Sequence, residues 1–153
     1  MRKQVRPKSH TPGQPGEYAE PGAQAVRPRD AATLIIVRQL KNPKILLGKR
    51  AASHKFMPNK FVFPGGRRDP ADTRLTCDTD LRPDVLARLR KETRARVSDN
   101  SLRGLALAAI RETFEETGLI LGEASNTSPT SRNSEWNAYF GHGVVPPLAH
   151  MDF

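Results

Sequence analysis

Cysteine is nearly absent. Cys77 is the only one in 153 residues, so no internal disulfide can close, and that usage fits a reducing cytosol. Long apolar runs are missing too. No stretch approaches the ~20 residues of a membrane span, and no membrane partner is expected. The basic N-terminus has no apolar h-region, which argues against a secretory signal. Five prolines and three glycines before Arg29 argue against the amphipathic helix of a mitochondrial transit peptide. A cytoplasmic location is the resulting expectation. Zinc-finger cysteine spacing and an aromatic-rich RNA-binding motif are also lacking, so nucleic acid is not the expected partner. The chain is 37% hydrophobic, enough for the modest core of one domain at most. No internal repeat is visible.

Positive charge is in excess. The formal net charge is +9. Residues 1–29 hold six basic and two acidic side chains, a net of +4. That tail is Pro/Gly-rich and polar, and disorder is expected for it. The balance favours anionic partners without choosing among nucleotides, nucleic acid and acidic surfaces.

The domain is expected to run from residue 30 to 153. Residues 31–38, Ala-Ala-Thr-Leu-Ile-Ile-Val-Arg, read as a buried strand. A turn at Lys41-Asn42-Pro43-Lys44 leads to a second strand over 45–50, antiparallel to the first. Phe61-Val62-Phe63 is a third short strand, stopped by Pro64-Gly65-Gly66. Arg82-Pro83-Asp84 opens a helix on which Leu81, Val85, Leu86 and Leu89 recur at helical spacing. Arg88, Arg90, Lys91, Arg94 and Arg96 cover its other side. That side is either a solvated face or a basic wall beside an anionic substrate. Asp99-Asn100-Ser101 offers N-caps for a further helix, with Leu107, Ile110 and Phe114 as its apolar stripe, widened by Leu105, Ala106 and Ala109. Gly118 suits a left-handed helix end. A loop over 122–134 precedes a short capped helix over 134–141.

The most informative stretch is Arg111-Glu112-Thr113-Phe114-Glu115-Glu116-Thr117-Gly118-Leu119. Three carboxylates fall within five positions of one helix. Glu112 lies three residues from Glu115 and four from Glu116, so all three share a face. On its own such a run reads as a solvated face. Yet like charges at that spacing repel, and a hard cation such as Mg²⁺ or Mn²⁺, which takes oxygen ligands, would relieve them.

With Phe61-Val62-Phe63-Pro64-Gly65-Gly66 upstream, this stretch resembles the Nudix hydrolases. That family's box runs Gly, five residues, Glu, seven residues, then Arg-Glu-apolar-x-Glu-Glu-x-Gly-apolar. Gly66 stands at the opening Gly, and Asp72 stands where the family has Glu. Arg111, Glu112, Glu115, Glu116, Gly118 and Leu119 match the second half, with Thr113 in place of the usual apolar residue. Residues 73–110, 38 in number, separate the halves instead of seven. A helical insertion within the box over 73–103 is expected.

The resemblance implies an α/β (α+β) fold, a Nudix-type α/β/α sandwich with a mixed sheet. It implies a metal-dependent hydrolase, a diphosphatase that cleaves the diphosphate linkage of a nucleoside diphosphate derivative. Glu115 and Glu116 match the family's metal ligands. Glu112 matches a residue that binds metal or assists in deprotonating water. Arg111 is expected to orient a neighbouring carboxylate through its planar fork of donors. Gly65 and Gly66 would let the backbone approach the helix or a phosphate closely. Leu46-Leu47-Gly48-Lys49-Arg50, followed after twelve residues by Phe63-Pro64-Gly65-Gly66, resembles in part the signature of the coenzyme A diphosphatase branch. Ala51, Lys55 and Asn59 depart from it, where it has Ser, Arg and Gly. Arg50 and Lys55 are then the expected substrate-phosphate contacts, with His54 in the same loop, and coenzyme A or an acyl-CoA the expected substrate.

The resemblance covers residues 30–121. Nudix domains add further strands and a helix after the box, and residues 144–153 read as the run-up to a strand. The domain is therefore expected to be incomplete at its C-terminus, with exposed edges that invite pairing with a second copy as a homodimer. The alternative function is an incomplete or non-catalytic Nudix-like module that binds a nucleotide or a partner.

Overall fold

The computed structural model describes residues 28–39, 41–53, 58–93, 97–127 and 129–153. Most of the basic tail, His54, Lys55, Arg94 and Arg96 lie outside the described residues.

Among the described residues, six short strands precede three α-helices, and a seventh strand, a fourth helix and an eighth strand follow, an α+β arrangement as expected. The 31–38 segment divides into β1 (Ala31–Thr33) and β2 (Val37–Arg38). It divides because it serves two partners. Its first half pairs with β6 (Gly65–Arg67), Thr33 opposite Gly65. Its second half pairs with β3 (Lys44–Ile45), Val37 opposite Ile45, which is the expected hairpin. The second expected strand divides likewise, and β4 (Gly48–Lys49) pairs with β5 (Phe61–Val62). Ladder-like bonds bridge the gaps: Leu34 N–H donates to Pro64 O at 2.9 Å and Leu46 N–H to Ile36 O at 3.1 Å. A last pair joins β7 (Glu123–Ala124) to β8 (Val144–Val145). All four pairings among the described residues are antiparallel.

One face of the first three strand pairs is apolar and uncovered. Ile35, Val37, Ile45, Leu47, Phe61 and Phe63 alternate onto it, and Phe61 is 68% exposed. Apolar surface of this extent marks an interaction face or an aggregation liability. Among the described residues, no helix is long and apolar enough to cross a membrane.

The core gathers around α3 (Asp99–Thr117), which packs on β1, β6 and the other helices. Leu107 and Ile110 are buried on it as the stripe predicts, Leu102 is buried with them, and Phe114 is only half-buried. The N-cap is Ser98, one residue before the three expected caps. Its hydroxyl accepts from Ser101 N–H at 3.2 Å. At the other end Gly118 adopts φ 69°, the left-handed conformation that releases the helix. Thr113 is fully buried without an orphan polar atom, because its hydroxyl donates to Ala109 O one turn back at 2.7 Å.

The insertion holds α2 (Pro83–Glu92), which buries Val85 and Leu89 against the core as expected. The first turn of α3 belongs to the same 73–103 stretch. The basic side of α2 is engaged by the chain itself. Arg88 donates to Asp84, Asp152 and Phe153 O. Arg82 donates to Ala149 O and Met151 O, and Arg90 pairs with Asp99. The Arg82 and Arg88 contacts strap the 149–153 segment to α2 and the Arg90 pair ties α2 to α3, which accounts for Arg88 and Arg90 without a substrate.

Two more helices frame the site. α1 (Pro70–Arg74) is absent from the sequence expectation. Asp69 caps it, with Pro70 in the first turn and Asp72 completing a capping box. α4 (Ser134–Phe140) falls where the short capped helix is expected, under an Asn133 cap. It brings Trp136 and Tyr139 into the core at full burial.

Candidate active site

The C-terminal turns of α3 carry Arg111, Glu112, Glu115 and Glu116 beside the Gly65–Gly66 backbone. Helical spacing puts the carboxylates there, and the β1–β6 ladder fixes the backbone opposite them. Gly65 has φ 148°, and a Cβ built on it would overlap Ala32 O. A Cβ on Gly66 would overlap the Glu112 carboxylate. Both glycines are needed for close approach, Gly65 to the β1 backbone and Gly66 to Glu112 on α3. The Gly65 N–H donates to Glu116 Oε2 at 3.2 Å.

Arg111 is the hub. Its guanidinium is nearly inaccessible, with Nη1 donating to Glu112 Oε1 at 3.1 Å and to Glu115 Oε1 at 2.5 Å. Its Nη2 donates to Arg67 O at 2.9 Å. On the inner side Nε and Nη2 fork onto Asp72 at 2.9 and 3.1 Å, the bidentate geometry for which arginine is suited. Burial alone would disfavour its charge. Hydrogen bonds and charge from Asp72 and Glu115 outweigh that, so its pKa is raised.

Asp72 stands at the family's Glu position, but it does not face the carboxylate cluster. It is fully buried and accepts four hydrogen bonds: two from Arg111, one from Asp69 N–H at 2.7 Å and one from Trp136 Nε1–H at 2.7 Å. A buried charge needs such complete pairing. Asp72 anchors Arg111 from below.

Burial raises the Glu112 pKa, the Arg111 charge lowers it and Glu115 adds repulsion; the net direction is upward. Burial is the larger cause, and the Arg111 charge only partly offsets it. The donor chemistry fits a hard divalent cation: three carboxylates, each with one oxygen bonded to Arg111 or Gly65 and the other without a donor among the described residues. In their present orientations, no three acidic, histidine or cysteine side chains among the described residues converge on one point.

Of the expected substrate contacts, Arg50 follows β4, half-buried, its backbone bonded to Asn59 and Lys60. Lys55 is outside the described residues. The sequence reading missed Trp136 as part of this network, and α1 as the element that carries Asp72. The Asp69-Pro70-x-Asp72 capping box was the available signal for α1; no local signal marked the indole.

A carboxylate-bearing helix end thus packs on a double-glycine turn and is locked by a buried arginine, on an α+β scaffold. The chain belongs to the Nudix family. It is 33% identical over 113 residues to the acyl-coenzyme A diphosphatase NUDT19 of Xenopus laevis, covering 63% of this chain and 28% of that protein. It is 33% identical over 106 residues to putative nudix hydrolase 7 of Caenorhabditis elegans, covering 69% of this chain and 26% of the relative. The chain thus spans about a quarter of the length of these relatives. The crystal structure of a Nudix hydrolase from Alicyclobacillus acidocaldarius superposes with a TM-score of 0.51 at 26% identity, over 79% of this chain and 57% of that one. No family model matches the chain.

Proposed function

We propose that this chain carries the hydrolytic site of a metal-dependent Nudix diphosphatase. Its substrate is a nucleoside diphosphate derivative, with coenzyme A or its acyl thioesters the class to test first. The observation that carries the reading is the carboxylate trio held by Arg111 against Gly65 and Gly66. A protein without use for a cation has no physical reason to stack three like charges within two turns of helix. The acyl-coenzyme A diphosphatase relative supports the substrate class.

Glu112, Glu115 and Glu116 would hold Mg²⁺ or Mn²⁺ through their unpaired oxygens. Such an ion neutralises diphosphate charge and lowers the pKa of a bound water. The residues themselves do three things. Arg111 holds Glu112 and Glu115 at one end of its fork while Asp72 fixes the other. Glu116 is held by the Gly65 N–H. Glu112, whose pKa is raised chiefly by burial, is suited to take a proton from a nearby water. Arg50 and Lys55 are the proposed contacts for substrate phosphates, and the compartment proposed is the cytoplasm.

Hydrolysis of coenzyme A and ADP-ribose with Mn²⁺, Mg²⁺ or EDTA tests this. Turnover that requires metal is expected, and Glu115→Gln or Glu116→Gln should each abolish it with folding intact. Turnover surviving both changes would refute the site assignment. A second reading, a non-catalytic module that binds a nucleotide or a partner, is favoured by the present engagement of Glu112 and Glu115 with Arg111. It predicts nucleotide binding without turnover in any metal.

A further inference from the structure

The indole of Trp136 reaches the candidate site from outside the box. Its Nε1–H donates to Asp72 Oδ1 at 2.7 Å, the same oxygen that accepts Arg111 Nε at 2.9 Å. Both Trp136 and Asp72 are fully buried. From Asp72 the contacts run through the Arg111 fork to Glu112 and Glu115. One unbroken chain of hydrogen bonds therefore links α4 to two of the three carboxylates. The ring is held independently of that bond. It stacks on Phe140 with centroids 5.5 Å apart and meets Tyr139 edge-on at 5.3 Å.

The Asp69 N–H holds Asp72 Oδ2 at 2.7 Å beside Arg111 Nη2. The indole supplies the matching second donor at Oδ1, and with both oxygens held the carboxylate plane is set. The Arg111 plane follows, and with it Nη1, the atom shared by Glu112 and Glu115. A phenyl ring at 136 keeps an aromatic face toward Phe140 and Tyr139, whereas the hydrogen bond requires the indole.

We propose that Trp136 is a positioning residue for the carboxylate site, setting Glu112 and Glu115 through Asp72 and Arg111. The role deepens the hydrolase reading above and rests on it for its catalytic meaning. It makes the docking of α4 a condition for an ordered site.

Trp136→Phe removes the donor and keeps a ring; Phe140→Leu loosens the ring and keeps the donor. Both are compared with wild type in the full chain, by hydrogen exchange at Arg111 Nε–H and by Mn²⁺ titration well below the melting temperature. Trp136→Phe is expected to speed Arg111 exchange about tenfold and to weaken Mn²⁺ binding by roughly 3–10-fold, at or below the range for partners that directly orient metal ligands. Phe140→Leu is expected to lower Tm and to move neither. Unchanged Arg111 exchange in Trp136→Phe, or equal effects from Phe140→Leu, would overturn the proposal. If Mn²⁺ binds neither wild type nor variant, the hydrolase reading fails while the exchange result still decides the relay. Should Trp136→Phe not fold, Glu115→Gln is read at the indole N–H resonance, which is unique because the chain has one tryptophan. A shifted peak is expected, and an unmoved one overturns the proposal.

Discussion

Asp72→Ala should be among the most destabilising single changes in the chain. Asp72 is fully buried and accepts four hydrogen bonds, two of them from a charged guanidinium. Removing one partner of a buried ion pair typically costs about 3–5 kcal/mol, because the other charge is left uncompensated. Here Arg111 keeps Glu112, Glu115 and Arg67 O, so the lower end applies, about 3 kcal/mol. The indole N–H and the Asp69 N–H lose their acceptor as well, which keeps the value from falling further. Asp72→Asn should cost nearly as much: its amide nitrogen would face a donor, and its charge is gone. Urea unfolding followed by far-UV circular dichroism measures this without relying on Trp136, whose surroundings change. The midpoint should fall by roughly 2 M with the slope unchanged, and Tm by roughly 10 °C. A loss below about 1 kcal/mol for both variants would refute the view that Asp72 is the anchor of Arg111.

Three further outcomes are expected. Gly66→Ala places a Cβ on the Glu112 carboxylate, so Mn²⁺ binding should be lost to a far greater degree than stability, by titration and melting of the same sample. Gly118→Ala meets no atom within 4 Å but forces φ 69° on an alanine, which should cost about 1 kcal/mol in a urea melt and leave Mn²⁺ affinity unchanged. Glu112→Gln should raise Tm at pH 7 in EDTA. The Glu112 pKa is raised in the folded state above its ordinary 4.5, so its stability contribution is full below that value and is lost as pH rises through the folded pKa. The Tm gain should therefore shrink as pH falls toward 4.5, and a gain independent of pH would contradict the repulsion argument.

Much of this fold was legible because the signals were local. The Leu107 and Ile110 stripe, Gly118 and Pro83 each act within a turn or two of their own helix, so short-range chemistry is enough to find them. The strands were legible as segments but not as ladders. Residues 31–38 change partners midway, from β6 to β3, and a partner switch leaves no mark on apolar periodicity. The site divides the same way. Arg111 and the three glutamates declare themselves by spacing along one helix. The bonds from Trp136 and Arg111 to Asp72 join residues 64 and 39 positions apart, and nothing local encodes them. Arg88 was ambiguous for a related reason: beyond Asp84, its acceptors Asp152 and Phe153 O lie some 65 residues downstream.

The division of the box is a division in sequence only. α1 delivers Asp72 back to Arg111 across 38 intervening residues, and three features make that return possible. Asp69 and Asp72 cap α1 reciprocally, so a five-residue helix holds its shape beside the glycine turn. Gly104 lets α1 lie against α3: a Cβ there would sit 3.0 Å from the Thr73 hydroxyl and 3.2 Å from Thr73 Cα. The Arg111 fork then closes the contact from the α3 side. The insertion enters after Asp72 is fixed and rejoins before Arg111, burying its own apolar face through Val85 and Leu89 and engaging its basic face with the 149–153 segment. In this chain the Arg111–Asp72 fork, at 2.9 and 3.1 Å, joins the two halves of the box across the insertion, and the carboxylates are held on that buried pair.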